Sequence, residues 1–333
     1  MKNKTFNVAL VGCGTIAPNH LNALSGLEGV RITALCDVKR ERAEKLNEEF
    51  SLNAKIYTDY KELLLSEELD AVHIATPHYL HAEMTILALR SGVNVFLEKP
   101  MCITEREITS LIEEEKKSTA SVCVCFQNRF VSATKKALEI TEQDGGAITA
   151  HFSVFWQRDE KYYTESGWRG KMATEGGGVM INQAIHSLDL LSLFLGKPER
   201  IVATTANHHL KGVIDVEDSC EGMIEFDSGK SANFYATTSA LYGDDTQICI
   251  KTRNHRILLN FPNITVDGKT ISYEDENHYV GKICYGNGHA VVIAMFYDAL
   301  RCNKPMPVSL ESAQYSIRTI LAAYKSHDKE TII

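Results

Sequence analysis

The stretch "VALVGCGTIAPNH" at residues 8–20 decides the predicted fold. Apolar residues lead into Gly12 and Gly14, and Ala17 follows at the start of a helical pattern. With this spacing after a strand, the first glycine permits a tight turn and the second lets the backbone approach a pyrophosphate, while a small third residue allows close helix–strand packing. The start of the helix supplies free N–H groups for phosphates. The sequence therefore predicts a dinucleotide-binding turn made of Gly12, Gly14, Thr15, Ile16 and Ala17.

Asp37 stands at the end of the next predicted strand. A carboxylate at this place accepts hydrogen bonds from a ribose 2′-hydroxyl and repels a 2′-phosphate, which favours NAD over NADP. Lys39 and Arg40 follow directly and offer positive charge to a phosphate. NAD is therefore the predicted cofactor, and NADP stays open as the alternative.

The first 126 residues alternate between apolar strands and helical patterns. Strands that are apolar throughout are typical of parallel sheets buried on both faces, and this alternation is typical of a doubly wound, Rossmann-type α/β domain. The predicted strands are residues 6–11, 31–36, 71–75, 93–97 and 120–126. The predicted helices lie near residues 15–28, 38–50, 59–66, 79–91 and 104–118.

From residue 127 the pattern changes to one helix and then longer alternating strands, with "DSGK" (227–230) and "VDGK" (266–269) as hairpin turns. The helix lies near residues 131–143, the strands at 146–157, 199–209, 219–226, 230–238 and 246–252, and two final helices near 288–302 and 309–326. We predict a nucleotide-binding domain at residues 1–126 and an α+β domain at residues 127–333. The second domain has a large, mostly antiparallel open sheet, and its last helix is a candidate to pack back on the first domain.

The composition is that of an ordinary globular protein, with 333 residues, 44% hydrophobic residues and a net charge of −8. Surfaces that bind nucleic acid need clustered Lys and Arg, so a nucleic-acid partner is not expected. The longest apolar runs are too short for a membrane span. The nine cysteines are scattered, and the neighbouring pair Cys123 and Cys125 has no second pair or nearby histidine cluster. We therefore expect reduced thiols, no metal site and a cytoplasmic location.

Two further stretches carry candidate chemistry. In "GGGVMINQAIHSLDLL" (176–191), an apolar helical pattern places Asn182, His186 and Asp189 on one face. In "FLEKPM" (96–101), Lys99 follows the fourth predicted strand. In open α/β sheets, ligands bind at the carboxyl ends of the strands, so Lys99 is expected beside the nicotinamide.

Together, "VGCGTIAPNH", "ATPHYLHAEMTILALRSGVNVFLEKPM", "GGGVMINQAIHSLDLL" and "GNGHAVVIAMFYDAL" resemble the glucose–fructose oxidoreductase, inositol dehydrogenase and rhizopine-catabolism (Gfo/Idh/MocA) family. The resemblance spans essentially the whole chain. It implies hydride transfer between NAD(P) and a secondary hydroxyl of a sugar, cyclitol or sugar derivative. It also implies a homo-oligomer that forms through the open sheet of the second domain.

The resemblance also implies roles for single residues. Lys99 matches the family's catalytic-site lysine, and its bond to Pro100 is often cis in relatives. Thr76, Pro77, His81 and Glu98 match positions that line the cofactor. His186 matches the histidine that ends the second-domain signature, whereas Asn182 stands where many relatives have Asp.

Oxidation of a secondary alcohol requires a base for the hydroxyl proton, and histidine is suited to that task near neutral pH. We predict His186 as the base and Lys99 as the cation that orients and polarises the hydroxyl. The reversed assignment, with a desolvated Lys99 as base, stays open. Asn182 holds a substrate hydroxyl or His186. Asp189 either orients the imidazole or makes a structural hydrogen bond.

Weaker candidates complete the predicted site. Trp168 and Arg169 are predicted to close over the nicotinamide, and Asn128 is predicted to reach the cofactor. Tyr163 is predicted to line the sugar pocket, with Tyr162 and His289 as further candidates. Two other functions compete with the dehydrogenase: a glycosidase-type enzyme that uses NAD without net redox change, and a non-catalytic, NAD-dependent regulatory protein.

Overall fold

The computed structural model describes residues 4–272, 286–326 and 329–333. Its first half contains a six-stranded parallel sheet with helices on both faces. The strands are β1 (Phe6–Val11), β2 (Val30–Cys36), β3 (Lys55–Tyr57), β4 (Ala71–Ile74), β5 (Asn94–Glu98) and β6 (Val122–Cys125). The helices are α1 (Ala17–Ser25), α2 (Arg40–Glu49), α3 (Tyr60–Ser66), α4 (His81–Arg90) and α5 (Glu105–Lys117).

The strand order is β3-β2-β1-β4-β5-β6, and every neighbouring pair is parallel. This is the order of a doubly wound dinucleotide-binding sheet, so the predicted fold class is confirmed. The chain reverses direction across the sheet between β1 and β4, where ligands bind in such folds. Strand β3 was not predicted, because this edge strand has only three residues, none of them buried.

The second half contains a nine-stranded sheet within the part of the chain that the structure describes. Its strands are β7 (Thr149–Gln157), β8 (Pro198–Ala206), β9 (Ser219–Phe226), β10 (Ser231–Thr237), β11 (Ser239–Lys251), β12 (Arg256–Asn260), β13 (Asn263–Val266), β14 (Lys269–Thr270) and β15 (Thr331–Ile332). The order is β14-β13-β12-β11-β7-β10-β9-β8-β15. Only β7 and β10 run parallel among these pairs, which confirms the predicted, mostly antiparallel sheet.

Helices cover one face of this second sheet. These are α6 (Ser132–Gln143), α8 (Ile185–Leu195) and α10 (Leu310–Ser326), while the short α7 (Glu160–Thr164) follows β7. The opposite face is open, and it exposes 39% of Phe155, 37% of Tyr235 and 42% of Met223. Buried and exposed residues alternate along the strands, so one face of the sheet packs in the core and the other face stays open.

The two halves share one continuous core. Helix α9 (Gly288–Cys302) packs on α1, and the hydroxyl of its buried Tyr297 lies 2.9 Å from His73 Nε2 in β4. Helix α10 contacts α5 and β6 as well as α8 and β8. The C-terminal helices therefore touch both sheets, and the boundary at residue 126 stays a prediction.

Two broader expectations bear on the whole chain. The cysteines among residues 4–272, 286–326 and 329–333 are all free thiols, and all except Cys302 are buried. No helix within the same residues combines the length and the apolar character needed to cross a lipid bilayer.

Candidate active site

The turn between β1 and α1 has the shape that a dinucleotide requires. Gly12 has a φ of +92°, and a Cβ placed there would lie 2.4 Å from the carbonyl oxygen of Ala75, so only glycine fits. A Cβ at Gly14 would meet no atom within 4 Å, which leaves open space where a pyrophosphate can approach. Ile16 precedes α1 without a side-chain cap, but the N–H groups of Ala17 and Asn19 donate to the Gly14 and Ile16 carbonyls at 3.2 and 3.0 Å, and Pro18 has none. The first turn of α1 therefore offers no free N–H group to an anion at these three residues.

Asp37 lies at the carboxyl end of β2 and is mostly buried. Its Oδ2 accepts a hydrogen bond from the Cys13 N–H at 2.8 Å, and its Oδ1 accepts one from the Lys39 N–H at 2.8 Å. These two bonds fix the carboxylate against the glycine turn. Each oxygen keeps a second lone pair, so the group can still accept a hydrogen bond from a ribose hydroxyl.

The loops after β4 and β5 are tied together beneath Lys99. The Lys99–Pro100 peptide bond is cis. The ring nitrogens of the buried His81 lie 2.6 Å from the Pro100 carbonyl oxygen and 2.8 Å from that of Thr76. Burial lowers the pKa of His81, and the two carbonyls oppose that shift. His81 is buried beneath this loop, and it thus holds Thr76 and Pro77 in place next to Lys99.

Glu98 is also buried, within a chain of histidines. Its Oε1 lies 2.9 Å from Nε2 of His20 and 3.7 Å from Nε2 of His289. Burial on its own would raise the pKa of Glu98, but the hydrogen bond with His20 and the nearby positive charges outweigh it and bring the pKa below its ordinary value. The ionised carboxylate therefore joins β5 to α1 and α9. It supports the site from within rather than from its surface.

Glu98, Cys125 and His289 offer ligand-type atoms that lie within 4.8 Å of one another. Burial raises the pKa of the Cys125 thiol well above its ordinary value. A neutral thiol is a poor metal ligand, since the thiolate is the binding form. The expectation that the chain needs no metal stays a prediction.

The segment that carries Asn182 is a π-helical turn, Met180–Ala184, which runs directly into α8. The carboxylate of Glu217 accepts hydrogen bonds from the N–H groups of Gly178 at 2.9 Å and Met180 at 3.0 Å. Nζ of Lys99 donates to the backbone carbonyl of Asn182 at 2.8 Å. The lysine of the parallel-sheet half and the turn of the second half are therefore in direct contact.

The glycines at 176–178 are needed because neighbouring protein atoms leave no room for side chains. A Cβ at Gly178 would lie 1.8 Å from the Glu217 carbonyl oxygen, and one at Gly177 would lie 1.8 Å from the Tyr324 hydroxyl. The protein's own atoms fill the space beside these glycines.

His186 lies in the first turn of α8, half-buried, with its ring edge-on to Phe126 at 5.9 Å between centroids. Burial lowers the pKa of His186 well below its ordinary value, and the positive charge of Lys99 lowers it further. The ring is therefore neutral near pH 7. Nδ1 is buried and has no hydrogen-bond partner within the described part of the chain, whereas Nε2 is not one of the buried, unpaired atoms.

Asn182 is held by two side chains. Its Nδ2 donates to Oε1 of Glu175 at 2.5 Å and to the hydroxyl of Tyr162 at 3.3 Å. Burial raises the pKa of Glu175 to about 7. The sequence analysis missed Glu175, because a single acidic residue before a run of glycines carries no recognisable pattern.

Asp189 faces away from this cluster. Its two carboxylate oxygens accept hydrogen bonds from Nη2 and Nε of Arg129 at 2.5 and 2.7 Å, and both side chains are nearly or fully buried. Arg129 also donates to Ser312 in α10 at 2.7 Å. Of the two roles left open for Asp189, the structure shows the structural one: it ties α8 to the turn after β6.

We expect Asp189→Ala to lower the free energy of unfolding by about 3–5 kcal/mol, because it leaves the buried Arg129 charge without its partner. Urea denaturation measures this change. The double variant Asp189→Ala/Arg129→Met is expected to recover part of the loss, since no buried charge is then unpaired. A loss of turnover with unchanged stability would instead assign Asp189 to catalysis.

Other predicted residues surround the same place. The Arg169 guanidinium lies 4.8 Å from the Trp168 ring and 4.7 Å from the Tyr162 ring, and its Nε is buried without a partner from the described residues. Oδ1 of Asn128 is likewise buried and unpaired within those residues. Tyr163 packs instead in a small apolar cluster with Leu210, Ile214 and Val216, and Tyr162 is the tyrosine that reaches Asn182.

Comparison with known proteins agrees with this architecture. Residues 6–126 match the model of the oxidoreductase family with an NAD-binding Rossmann fold, and residues 143–257 match the GFO/IDH/MocA C-terminal domain. The D-glucoside 3-dehydrogenase of Escherichia coli strain K12 is 26% identical over 246 residues, which are 73% of this chain and 67% of that protein. The myo-inositol 2-dehydrogenase of Thermotoga maritima is 24% identical over 336 residues, with 98% and 97% covered.

A solved structure shares the whole fold. The WlbA dehydrogenase of Bordetella pertussis, in complex with NADH and UDP-GlcNAcA, superimposes with a TM-score of 0.87 at 23% identity, covering 99% of this chain and 98% of that one. The two family matches together span more than two thirds of the sequence. The chain therefore belongs to the Gfo/Idh/MocA family of NAD-binding oxidoreductases.

Proposed function

We propose that this protein oxidises a secondary hydroxyl of a sugar, cyclitol or sugar derivative, with Lys99, His186 and Asn182 as its catalytic site. One observation carries the proposal. Lys99 and Asn182, which are 83 residues apart in the chain, meet through the 2.8 Å bond from Nζ to the Asn182 carbonyl. His186 stands close enough for the Lys99 charge to lower its pKa. A cation and a neutral imidazole are thus brought to the edge of the sheet where the cofactor-binding turn lies.

His186 is proposed to take the hydroxyl proton. Its neutral ring can accept a proton, and Nε2, unlike Nδ1, is not one of the buried, unpaired atoms. NAD, when bound, would supply the acceptor for the hydride that leaves the carbon bearing this hydroxyl. The proposed cofactor site uses the open space at Gly14 and the carboxylate of Asp37. Asn128 and Arg169 are proposed to contact the cofactor through buried polar atoms that have no partner among the described residues.

Lys99 is proposed to polarise the reacting hydroxyl. Burial lowers the pKa of Lys99, while the charges of Glu98 and Glu175 oppose the shift and favour the ammonium form. One of its three N–H groups is used on Asn182, and the others can donate to the hydroxyl oxygen as negative charge develops. The reversed roles predict that Lys99 must be deprotonated, so a Lys99 variant would lose the acid limb of the pH–rate profile.

The substrate class follows from the chemistry of the lining. Asn182 and Tyr162 offer amide and hydroxyl groups that can form hydrogen bonds with the hydroxyls of such a substrate. The named activities of two relatives, on D-glucosides and on myo-inositol, belong to the same polyhydroxylated class.

The test is to follow nicotinamide absorbance with the purified protein across free sugars, glycosides, inositols and nucleotide sugars, with NAD and with NADP. We expect net NADH formation with at least one of them. Release of an aglycone without net NADH would favour the glycosidase-type alternative. Binding of a protein partner only in the presence of NAD, with no turnover of any compound, would favour the regulatory alternative.

Cofactor preference is proposed to depend on Asp37. We expect Asp37→Ser to narrow the NAD-over-NADP preference in kcat/KM about tenfold or more, because the variant loses a charged hydrogen-bond acceptor and the repulsion of a 2′-phosphate. Serine keeps one side-chain oxygen as an acceptor, in place of the two carboxylate oxygens that accept from the Cys13 and Lys39 N–H groups. Steady-state kinetics with both cofactors measures the ratio, and an unchanged ratio would place discrimination elsewhere.

We also propose that the protein is a homo-oligomer that forms through the open face of the second sheet. Phe155, Tyr235 and Met223 lie there, and the Phe155 and Tyr235 rings contact each other at 5.5 Å between centroids. Light scattering coupled to size exclusion tests this. A single species of 37.1 kDa at micromolar concentration would contradict it.

A further inference from the structure

We propose that Glu175 sets the orientation of the Asn182 side-chain amide, so that the protonation state of Glu175 decides whether Asn182 accepts a hydrogen bond from the substrate or donates one. The inference deepens the proposed function and rests on it only for the contact between Asn182 and substrate. Glu175 acts through Asn182 and is a positioning residue.

Both hydrogens of the Asn182 amide nitrogen are already used. They point to Oε1 of Glu175 at 2.5 Å and to the Tyr162 hydroxyl at 3.3 Å. Oδ1 of Asn182 receives no hydrogen bond from the described residues and is not among the buried unpaired atoms. In this state Asn182 presents an acceptor, and only an acceptor, to whatever binds in front of it.

This orientation requires an ionised Glu175. A carboxylate only accepts hydrogen bonds, so it must face the amide nitrogen. The Gly170 N–H occupies Oε2 at 2.5 Å, so a proton added to Glu175 resides on Oε1, facing Asn182. Oε1 then becomes a donor, and the amide must turn over to present Oδ1 to it. The Tyr162 hydroxyl fits either state because it both donates and accepts.

Glu175 is placed to titrate near neutral pH. Burial raises its pKa to about 7, against the N–H of Gly170, the Asn182 amide and the charge of Arg169, which favour the ionised form. The nearby Glu217 carboxylate favours the neutral form. The other titratable or charged groups that face it are Lys99, Tyr162, Tyr163, Tyr324 and His78, whose ring nitrogen Nδ1 lies 2.9 Å from the Glu175 carbonyl oxygen.

The direction of the effect follows from the rest of the site. Lys99 and Arg169 only donate hydrogen bonds, and His186 is assigned to the proton of the reacting hydroxyl. A neighbouring hydroxyl that accepts from either cation therefore needs a further acceptor for its own proton. Above pH 7, Asn182 Oδ1 supplies one. Below pH 7, the turned amide supplies another donor and leaves that proton unpaired. KM for the hydroxylated substrate is therefore expected to rise about tenfold between pH 8 and pH 6, which is the usual cost of one mismatched hydrogen bond.

The test uses Glu175→Gln, which has nearly the same shape. The Gly170 N–H holds the oxygen of Gln, so its NH₂ group faces Asn182 and locks the amide in the turned state at every pH. In protein labelled with ¹⁵N-asparagine, we expect the Asn182 side-chain resonance, assigned by its absence in Asn182→Ala, to titrate near pH 7 in the wild type and not in Glu175→Gln. This readout needs no substrate, so it stands even if no compound in the panel reduces NAD.

Kinetics with the best compound of the panel gives the second readout. Glu175→Gln is expected to show at pH 8 the KM of the wild type at pH 6, with an unchanged Kd for NAD. In the Asn182→Ala background, the same substitution is expected to have no further effect on KM. An Asn182 resonance that titrates equally in Glu175→Gln, or additive effects of the two substitutions, would overturn the proposal.

Discussion

His186→Ala and Lys99→Met are each expected to lower kcat by about three orders of magnitude, the usual contribution of a positioned proton acceptor or of an electrostatic stabiliser. The first removes the neutral imidazole that is proposed to take the proton. The second removes the cation whose Nζ contacts the Asn182 carbonyl. The Kd for NAD can be measured by the quenching of protein fluorescence. It is expected to change by less than about tenfold, because the glycine turn and Asp37 are untouched.

Matched controls separate chemistry from general damage. His208 and Lys45 are exposed and lie outside the site, so His208→Ala and Lys45→Met are expected to turn over at the wild-type rate. Lys99→Arg keeps the charge but changes the donor geometry, and it is expected to fall between wild type and Lys99→Met. Normal turnover by both His186→Ala and Lys99→Met would refute the assignment of the catalytic site.

Gly178→Ala is expected to unfold the second half of the chain or to destabilise it by more than about 3 kcal/mol, in the range of severe overpacking. The added Cβ would lie 1.8 Å from the Glu217 carbonyl oxygen and 2.9 Å from its carbon, and both are backbone atoms that cannot turn aside. The same shift would break the hydrogen bonds from Gly178 and Met180 to the Glu217 carboxylate. Thermal denaturation and far-UV circular dichroism measure the loss.

Gly26→Ala is the control for that variant. Gly26 has an ordinary φ of −85°, and an added Cβ would lie 3.7 Å from the nearest atom. We expect it to change stability by less than about 1 kcal/mol. If Gly178→Ala proved as stable as Gly26→Ala, the packing of the glycine run against Glu217 would be refuted.

The parallel sheet could be predicted because the residue pattern that identifies each strand is local in the sequence. Strands such as Val122–Cys125 are buried at every residue, so their apolar runs are continuous. The glycine turn was predictable because Gly12 faces a backbone carbonyl that no other residue tolerates. The hairpin turn at residues 266–269 between β13 and β14 was predicted correctly. The bounds of β12 to β14 were not predicted, because these strands are short and partly exposed and their pairing depends on neighbours that the local sequence does not reveal.

The polar residues 182, 186 and 189 show more clearly what could not be predicted from local sequence. Spacing alone placed all three on one face, but the π-helical turn at Met180–Ala184 alters the register. Asn182 and His186 lie near Lys99, while Asp189 pairs with Arg129, 60 residues away. Partners at that distance in the chain, like Glu175 for Asn182, are brought together by tertiary packing and carry no local signal.

Tyr297 has a consequence for how the protein is made. Its ring packs on Phe6 of the first strand at 5.5 Å between centroids, and its hydroxyl lies beside His73 in the middle of the nucleotide-binding half. A ribosome must therefore synthesise almost the entire chain before the first strand acquires all its neighbours. Until then, the early half emerges with an apolar surface that α9 later covers, and an isolated fragment ending near residue 126 would keep that surface exposed to chaperones and proteases.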